Sequence, residues 1–237
     1  MSLKLGGLVP WSSVDYPGHQ AAVLFCSGCP WRCRYCHNSH LWARTASPSW
    51  DAVRVFLSKR RGLLDAVVIS GGEPLQQAAA VREAFIEIRD MGFGRALHTA
   101  GVSARRLEGL LAHCDWIGLD VKAPFARYPA ITGRTGSGAQ ARACVDLVLH
   151  SGIAHELRAT VHPALLPEPA LVALVTDLAL MGVTRLTLRD FRPTGCPDPA
   201  LAHSYRPWLT PDLERRLRAI LPGIVLPAHA LDALTSH

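Results

Sequence analysis

Six short apolar runs, each followed by turn residues and a stretch of helical period, constrain this chain more than any other feature. The runs are residues 21–25, 66–70, 95–99, 116–121, 155–161 and 184–189. Helical patterns fall at 49–59, 78–90, 103–112, 140–150, 169–181 and 211–220. Strands alternating with helices indicate a parallel α/β fold, because parallel neighbours need a crossover that a helix supplies. Glycine just past a helix end, in Asp90-Met91-Gly92 and Met181-Gly182, marks places where a left-handed cap costs least. Six β/α units fall short of the eight that close a barrel. The expected fold is α/β, an open, partial β/α barrel with its site at the C-terminal strand ends.

At 237 residues and 49% hydrophobic content the chain can bury one large core, so one domain over 1–237 is expected. It divides into an N-terminal extension at 1–19, a barrel core at about 20–190, and a C-terminal loop and helix at about 191–237. The longest apolar stretch, 165–181, is broken by Pro167, Glu168, Pro169 and Asp177, so no membrane span is expected. The first residues lack the charged-then-apolar design of a signal peptide. Seven cysteines, four of them crowded together, suit a metal in a reducing cytoplasm better than disulfides. The net charge of +6 comes almost wholly from arginine, the only lysines being Lys4, Lys59 and Lys122. The longest basic run, Lys59-Arg60-Arg61, reads as a solvated helix end, and no nucleic-acid partner is expected. An acidic protein surface or a phosphorylated ligand would suit the charge.

The crowded cysteines are Cys26, Cys29, Cys33 and Cys36. Gaps of three and two residues bring the last three thiols to one face of a tight loop. Thiolates are the soft ligands that iron–sulfur clusters require. Three ligands on a 4Fe–4S cubane leave one iron open to a substrate or cofactor. Including Cys26 gives two C-x2-C pairs, a four-cysteine metal site, but zinc ribbons normally separate such pairs by roughly 15–20 residues. Cys26 also closes an apolar strand, and a free cysteine there is often a small core residue. Cys114, Cys144 and Cys196 show no metal-like spacing.

Three further features lie at the strand ends. Gly71-Gly72-Glu73-Pro74 follows the second run. Its glycines let the backbone approach a ligand, and Glu73 offers an acceptor, although the same residues make an ordinary turn with proline opening a helix. Asp120 and Lys122 share one face of the fourth run, opposite Leu119 and Val121, either as a lumen-facing pair for a ligand or as a self-contained ion pair. Glu156, Arg158, Thr160 and His162 share one face of the fifth. Four polar positions on one face suit a wet lumen that binds charged groups, or else an exposed edge strand. A lone histidine such as His162 at a strand end is more often structural than catalytic. The long loops 122–138 and 190–210 both leave strand C-termini and could border the site or receive a partner.

With these residues in hand the chain resembles the radical S-adenosylmethionine (SAM) superfamily. The match is C-x3-C-x2-C with the aromatic Tyr35 before its last cysteine, then Gly-Gly-Glu after the second run. More narrowly it resembles the glycyl-radical-enzyme activases, and among them the anaerobic ribonucleoside-triphosphate reductase activating proteins. The supporting residues are Val14-Asp15-Tyr16-Pro17-Gly18, Cys36-His37-Asn38, Asp120-Val121-Lys122-Ala123-Pro124, and the run from Glu156 to Pro163.

The resemblance implies a 4Fe–4S cluster on Cys29, Cys33 and Cys36, with SAM chelating the open iron. It implies that Gly71, Gly72 and Glu73 receive the SAM amino group and that Lys122 and Arg158 meet its carboxylate or ribose. Tyr35 would lie by the adenine, and Thr99, Asp120 and His162 complete the implied cofactor-binding set. Reductive cleavage of the sulfonium would release methionine and a 5′-deoxyadenosyl radical. In activases that radical takes hydrogen from a glycine Cα of the protein partner, here a glycyl radical enzyme, with a flavodoxin or ferredoxin-type electron donor. One departure stands out. Related activases commonly carry Asp-Thr-Asn-Gly after the third strand, where the acid can help hold a monovalent cation. This chain has His98-Thr99-Ala100-Gly101, and His98 is a poor substitute for a carboxylate toward a hard cation. Two other readings stand beside the activase. One is a radical enzyme acting on a small molecule, like the 7-carboxy-7-deazaguanine synthases. The other is a non-enzymatic zinc-binding adaptor using all four crowded cysteines.

Overall fold

The computed structural model describes residues 3–227. Its sheet has eight strands in chain order, each hydrogen-bonded to the next: β1 (Leu5–Ser12), β2 (Ala21–Cys26), β3 (Ala66–Gly71), β4 (Gly94–Thr99), β5 (Trp116–Asp120), β6 (Ala154–Val161), β7 (Arg185–Asp190) and β8 (Gly223–Val225). All neighbours from β2 to β8 are parallel, and β1 runs antiparallel to β2. The sheet is therefore an open β/α barrel with two edges. It has seven parallel strands, one more than the six read from the sequence, plus an antiparallel edge. The missed parallel strand, β8, is only three residues long and follows Pro222. β1 escaped notice because Gly6, Gly7 and Pro10 are poor strand residues, and an edge strand with register shifts is where they are tolerated.

The helices are α1 (Trp50–Ser58), α2 (Ala78–Asp90), α3 (Ala104–Glu108), α4 (Tyr128–Thr132), α5 (Ser137–His150), α6 (Glu168–Leu180), α7 (Pro199–Ser204) and α8 (Pro211–Ile220). Their limits follow from ordinary cap chemistry. Ser49 accepts from the Ala52 amide to open α1, and Thr210 accepts from the Leu213 amide to open α8. Gly92 and Gly182, at φ of +91° and +89°, turn the chain out of α2 and α6 as the glycine positions predicted. The two long loops are shorter than expected: α4 interrupts 122–138, and α7, capped by Asp198, interrupts 190–210. Among the described residues no helix is long and apolar enough to cross a membrane.

Alternation along the strands divides the interior in two. Ala22, Leu24, Val67, Ile69, Leu97, Ile117, Leu119, Leu157 and Leu186 face the helices and join the main core with Phe85, Ile88, Val145 and Leu174. On the other face, Ala21, Val23, Ala66, Val68, Ala96 and Trp116 form a small apolar floor, which Tyr16 closes by stacking on Trp116 at 5.5 Å. Above that floor, toward the strand C-termini, the inner face turns polar. β6 is paired on both sides, to β5 and to β7, so its polar face is not that of an edge strand. The segment read as an N-terminal extension thus supplies both an edge strand and the plug under the inner face.

Phe85 is fully buried between α2 and the sheet. Phe85→Ala should lower the unfolding free energy by about 3–5 kcal/mol. Leu180→Ala, at a side chain 83% exposed, should change it by less than about 0.5 kcal/mol. Urea unfolding of the two variants beside the parent checks both.

Candidate active site

β2 and β3 stay paired to their last residues, Cys26 opposite Gly71, and the chain leaves each strand through a narrow gap. The Gly72 amide donates to the Cys26 carbonyl at 2.8 Å and the Glu73 amide to the Gly28 carbonyl at 2.9 Å. A Cβ on Gly71, at φ +110°, would collide with the Cys26 backbone, and one on Gly72 would lie 2.5 Å from the Gly28 oxygen. These glycines are thus required by backbone packed on backbone within the protein, before any ligand is considered. Glu73, 1% exposed, holds the next layer together. Its Oε1 accepts from the Leu75 amide at 3.0 Å and the Thr99 hydroxyl at 2.6 Å, and its Oε2 from the Ala100 amide at 2.9 Å. A carboxylate offers about four acceptor positions, so the protein leaves about one for a ligand. Burial pushes the Glu73 carboxyl up, and those donors pull against it. Thr99 is doubly engaged, since its hydroxyl also accepts from the Gly101 amide at 3.0 Å.

The cysteine loop begins where β2 ends. Its backbone docks on α4, the Arg32 amide donating to Thr132 at 2.9 Å and the Arg34 amide to Ile131 at 3.4 Å. Trp31 packs edge-on against buried Tyr128 of the same helix at 6.0 Å. Residues 195–198 hold the other side: Arg34 pairs with Asp198 at 2.7 Å, and Ser39 Oγ donates to the Gly195 carbonyl at 2.9 Å. Cys33 is buried, whereas Cys29 and Cys36 are half-buried. Burial pushes the Cys29 thiol up to about 12 and also raises Cys33, with Lys122 opposing both. Cys26 sits fully buried among the helix-facing core residues, its thiol raised by burial. It belongs to the packing of β2. Among the described residues no three His, Cys, Asp or Glu side chains are arranged to hold a single metal ion.

Lys122 and Arg158 bring positive charge beside this loop. The Lys122 ammonium lies 5.6 Å from the Tyr35 ring centre, and its amide donates to the Tyr128 hydroxyl at 2.9 Å. Burial works against that ammonium, but Tyr35, Cys33 and Asp120 around it raise it above the ordinary lysine range. Arg158, 3% exposed, donates from Nε to Asp120 Oδ1 at 2.9 Å. Burial opposes the Asp120 charge as well, yet Arg158 and then Lys122 bring it down to about 2. Beside this pair, Glu156 accepts from Thr187 at 2.6 Å and faces Arg189 at 3.4 Å. Arg189 escaped the sequence reading because it pointed to β6 alone; β7 carries the same alternation, with Leu186 and Leu188 turned to the core.

The structure thus links Glu73 to Thr99, Asp120 to Arg158, and Lys122 to Tyr35 near Cys33. It does not tie His162 to that group. The His162 Nε2–H donates to the Leu201 carbonyl at 3.0 Å, Nδ1 accepts from the Ala164 amide at 3.2 Å, and the ring meets Phe191 and Tyr205 edge-on. Both ring nitrogens serve the fold there, the structural role that a lone strand-end histidine suggested.

The radical SAM superfamily model matches residues 23–170. The chain belongs to the radical SAM superfamily. Members use a 4Fe–4S cluster and SAM, and three soft thiol donors on one loop beside a lysine fit such a cluster. A Methanocaldococcus jannaschii protein named as a glycyl-radical enzyme activating enzyme is 29% identical over 179 residues, 71% of this chain and 72% of that protein. The pyruvate formate-lyase-activating enzyme of Clostridium pasteurianum is 32% identical over 132 residues, 53% of this chain and 55% of that enzyme. Thus the chain spans about half the length of this bacterial relative. Streptococcus suis SuiB bound to its precursor peptide SuiA shares the fold, with a TM-score of 0.65 at 15% identity over 90% of this chain and 50% of SuiB.

His98 gives the site a pH signature. Burial, reinforced by Arg158, lowers its ring from 6.5 to about 3. The unfolded chain therefore binds the extra proton throughout that window, so stability rises with pH from about 3 to 6.5 and is fully present above it. Urea titrations at several pH values should show the parent losing on the order of a few kcal/mol as pH falls through that range. His98→Gln should flatten that slope; an unchanged slope would assign the acid sensitivity elsewhere.

Proposed function

We propose that this chain is a radical SAM activase that generates a glycyl radical on an anaerobic ribonucleoside-triphosphate reductase. The observation that carries this reading is a cysteine loop braced on both sides next to Lys122, at the polar C-terminal end of an open parallel sheet. The activase names of the relatives support the reaction class. The choice of reductase rests on the sequence resemblance, including Val14-Asp15-Tyr16-Pro17-Gly18 under the inner face and Asp120-Val121-Lys122-Ala123-Pro124 at its rim.

In this reading Cys29, Cys33 and Cys36 hold the cluster, and the Gly71–Glu73 turn, Lys122, Asp120 and Arg158 face SAM. When bound, the cluster and SAM supply a 5′-deoxyadenosyl radical that abstracts hydrogen. The residues of this chain bind, orient and shield. Lys122 places a held positive charge where a carboxylate would dock, and buried Tyr35 lies next to it as an apolar wall. Glu73 keeps the ends of β3 and β4 in register through Thr99 and Ala100, so the turn that receives an amino group cannot drift. No general base is needed for hydrogen-atom abstraction, and none is assigned. The protein works in the cytoplasm with a flavodoxin or ferredoxin-type donor, and the partner glycine enters past the loops that follow β5 and β7.

Anaerobic reconstitution with iron and sulfide, reduction, and addition of SAM should give 5′-deoxyadenosine. Cys33→Ala should abolish both cluster absorbance and product, whereas Cys26→Ala should keep both. With the reductase present, a glycyl radical signal should appear by electron paramagnetic resonance. Product and signal formation only with a different glycyl radical enzyme would reassign the partner; an intact cluster that never cleaves SAM would sink the activase reading.

A further inference from the structure

Asp120 places a carboxylate on the inner face, where its charge must be balanced. In the activases that this chain resembles, an acid after the third strand can help hold a monovalent cation nearby. The residues present here do not fit such an ion. His98 stands where the acid would, and its Nε2 is spent on the Asp15 carbonyl at 2.7 Å. The Thr99 hydroxyl is spent on Glu73 and the Gly101 amide. Asp120 Oδ1 already takes the Arg158 Nε–H at 2.9 Å.

What occupies the middle of this group is the guanidinium itself. Arg158 is 3% exposed, with Nη1 3.3 Å from the His98 ring nitrogen. His98 at that point is neutral and sets no like charge against the guanidinium; its Nε2–H is given to the Asp15 carbonyl, so it takes no bond from Nη1 and leaves Arg158 to Asp120. The strand beneath makes the room: a Cβ on Gly118 would fall 2.9 Å from both Arg158 Cζ and Nη2. Glycine inside a strand is unfavourable unless something approaches closely, and here the close approach is by Arg158 together with the edge of the Trp116 ring, also 2.9 Å away. An alkali ion beside this permanent charge would meet repulsion, and it would find His98 Nε2, the Thr99 hydroxyl and Asp120 Oδ1 already engaged.

We propose that the Arg158 guanidinium, seated in the slot that Gly118 leaves, is the fixed cation of this inner face, and that SAM binds here without a dissociable alkali ion. This assignment rests on the reading that SAM occupies the inner face. A tethered charge cannot be exchanged, so the site is indifferent to which monovalent salt surrounds it.

The test is calorimetric titration of the anaerobically reconstituted protein with SAM in potassium, sodium or choline chloride at equal ionic strength. Dissociation constants agreeing within about two-fold are expected; a loss of about ten-fold or more in choline overturns the assignment. The double variant Arg158→Gln, His98→Asp removes the tethered charge and supplies an acid. It should bind SAM at least about ten-fold more tightly in potassium than in choline. Parent-like binding by that variant in choline would show that the face needs no cation, which also overturns the proposal. If SAM binds the parent in no buffer, the placement of SAM fails, and melting without ligand decides the charge assignment. Equal midpoints in potassium and choline chloride support it, and a midpoint several degrees higher in potassium overturns it.

Discussion

Everything at the candidate site hangs on the way β2 and β3 end. Two parallel strands paired to their final residues leave no space for side chains where the chain departs, so Gly71 and Gly72 press directly on the backbone of Cys26 and Gly28. That contact fixes the start of the cysteine loop relative to the turn carrying Glu73. Glu73 then passes the constraint to β4 through Thr99 and Ala100. A loop of some ten residues would otherwise be among the most mobile parts of the fold. Here it is anchored at its root by backbone hydrogen bonds that no substitution of a surface side chain can remove.

A second constraint is electrostatic. The inner face carries Asp120, Glu156, Arg158, Arg189 and, at its rim, Lys122, in a fold whose floor is Ala66, Val68, Ala96 and Trp116. Charges above an apolar floor survive only when paired. The Asp120–Arg158 and Glu156–Arg189 pairs meet that demand, one across β5 and β6 and the other across β6 and β7. Partial exposure of Asp120, 44% at its side chain, tempers the strength of its pair without removing the need for it. The Lys122 ammonium, by contrast, is held charged by groups around it rather than by one partner at salt-bridge distance, which leaves it suited to an anionic ligand.

Much of this was legible in the sequence because period and spacing carry it. Alternation of buried and polar positions gave six of the seven parallel strands and the polar face of β6, and glycine after helical runs gave the caps at Gly92 and Gly182. What escaped has physical reasons. β1 is built from residues that shun strands and exists because an edge tolerates them. β8 is too short to show a period. α4 and α7, of five and six residues, are too short to show helical periodicity, each stabilised by what it touches: α4 by the cysteine loop, α7 by the Asp198 cap. His162 shares a face with Arg158 in sequence, yet the chain beyond β7 returns to cover it, and no local pattern announces a contact across 39 residues.

The same long-range closure explains why residues far from the cysteine motif belong to its function. Arg34 lies between Cys33 and Cys36, and its partner Asp198 also caps α7 by accepting from the Ala200 and Leu201 amides. Gly195 sits so close under the His37 carbonyl that a Cβ there would collide with it. The pair is exposed, and as an isolated ion pair it would stabilise the fold by little. Its value is geometric. The cysteine loop is gripped on one side by α4 and on the other by residues 195–198, so its three thiols are held in place by two segments that are remote in sequence. A loop held from both flanks loses less conformational freedom when it takes up a cluster than a free one would, and that difference appears as affinity for the cluster. The C-terminal third of the chain, which carries none of the motif, thereby sets how well the motif is organised.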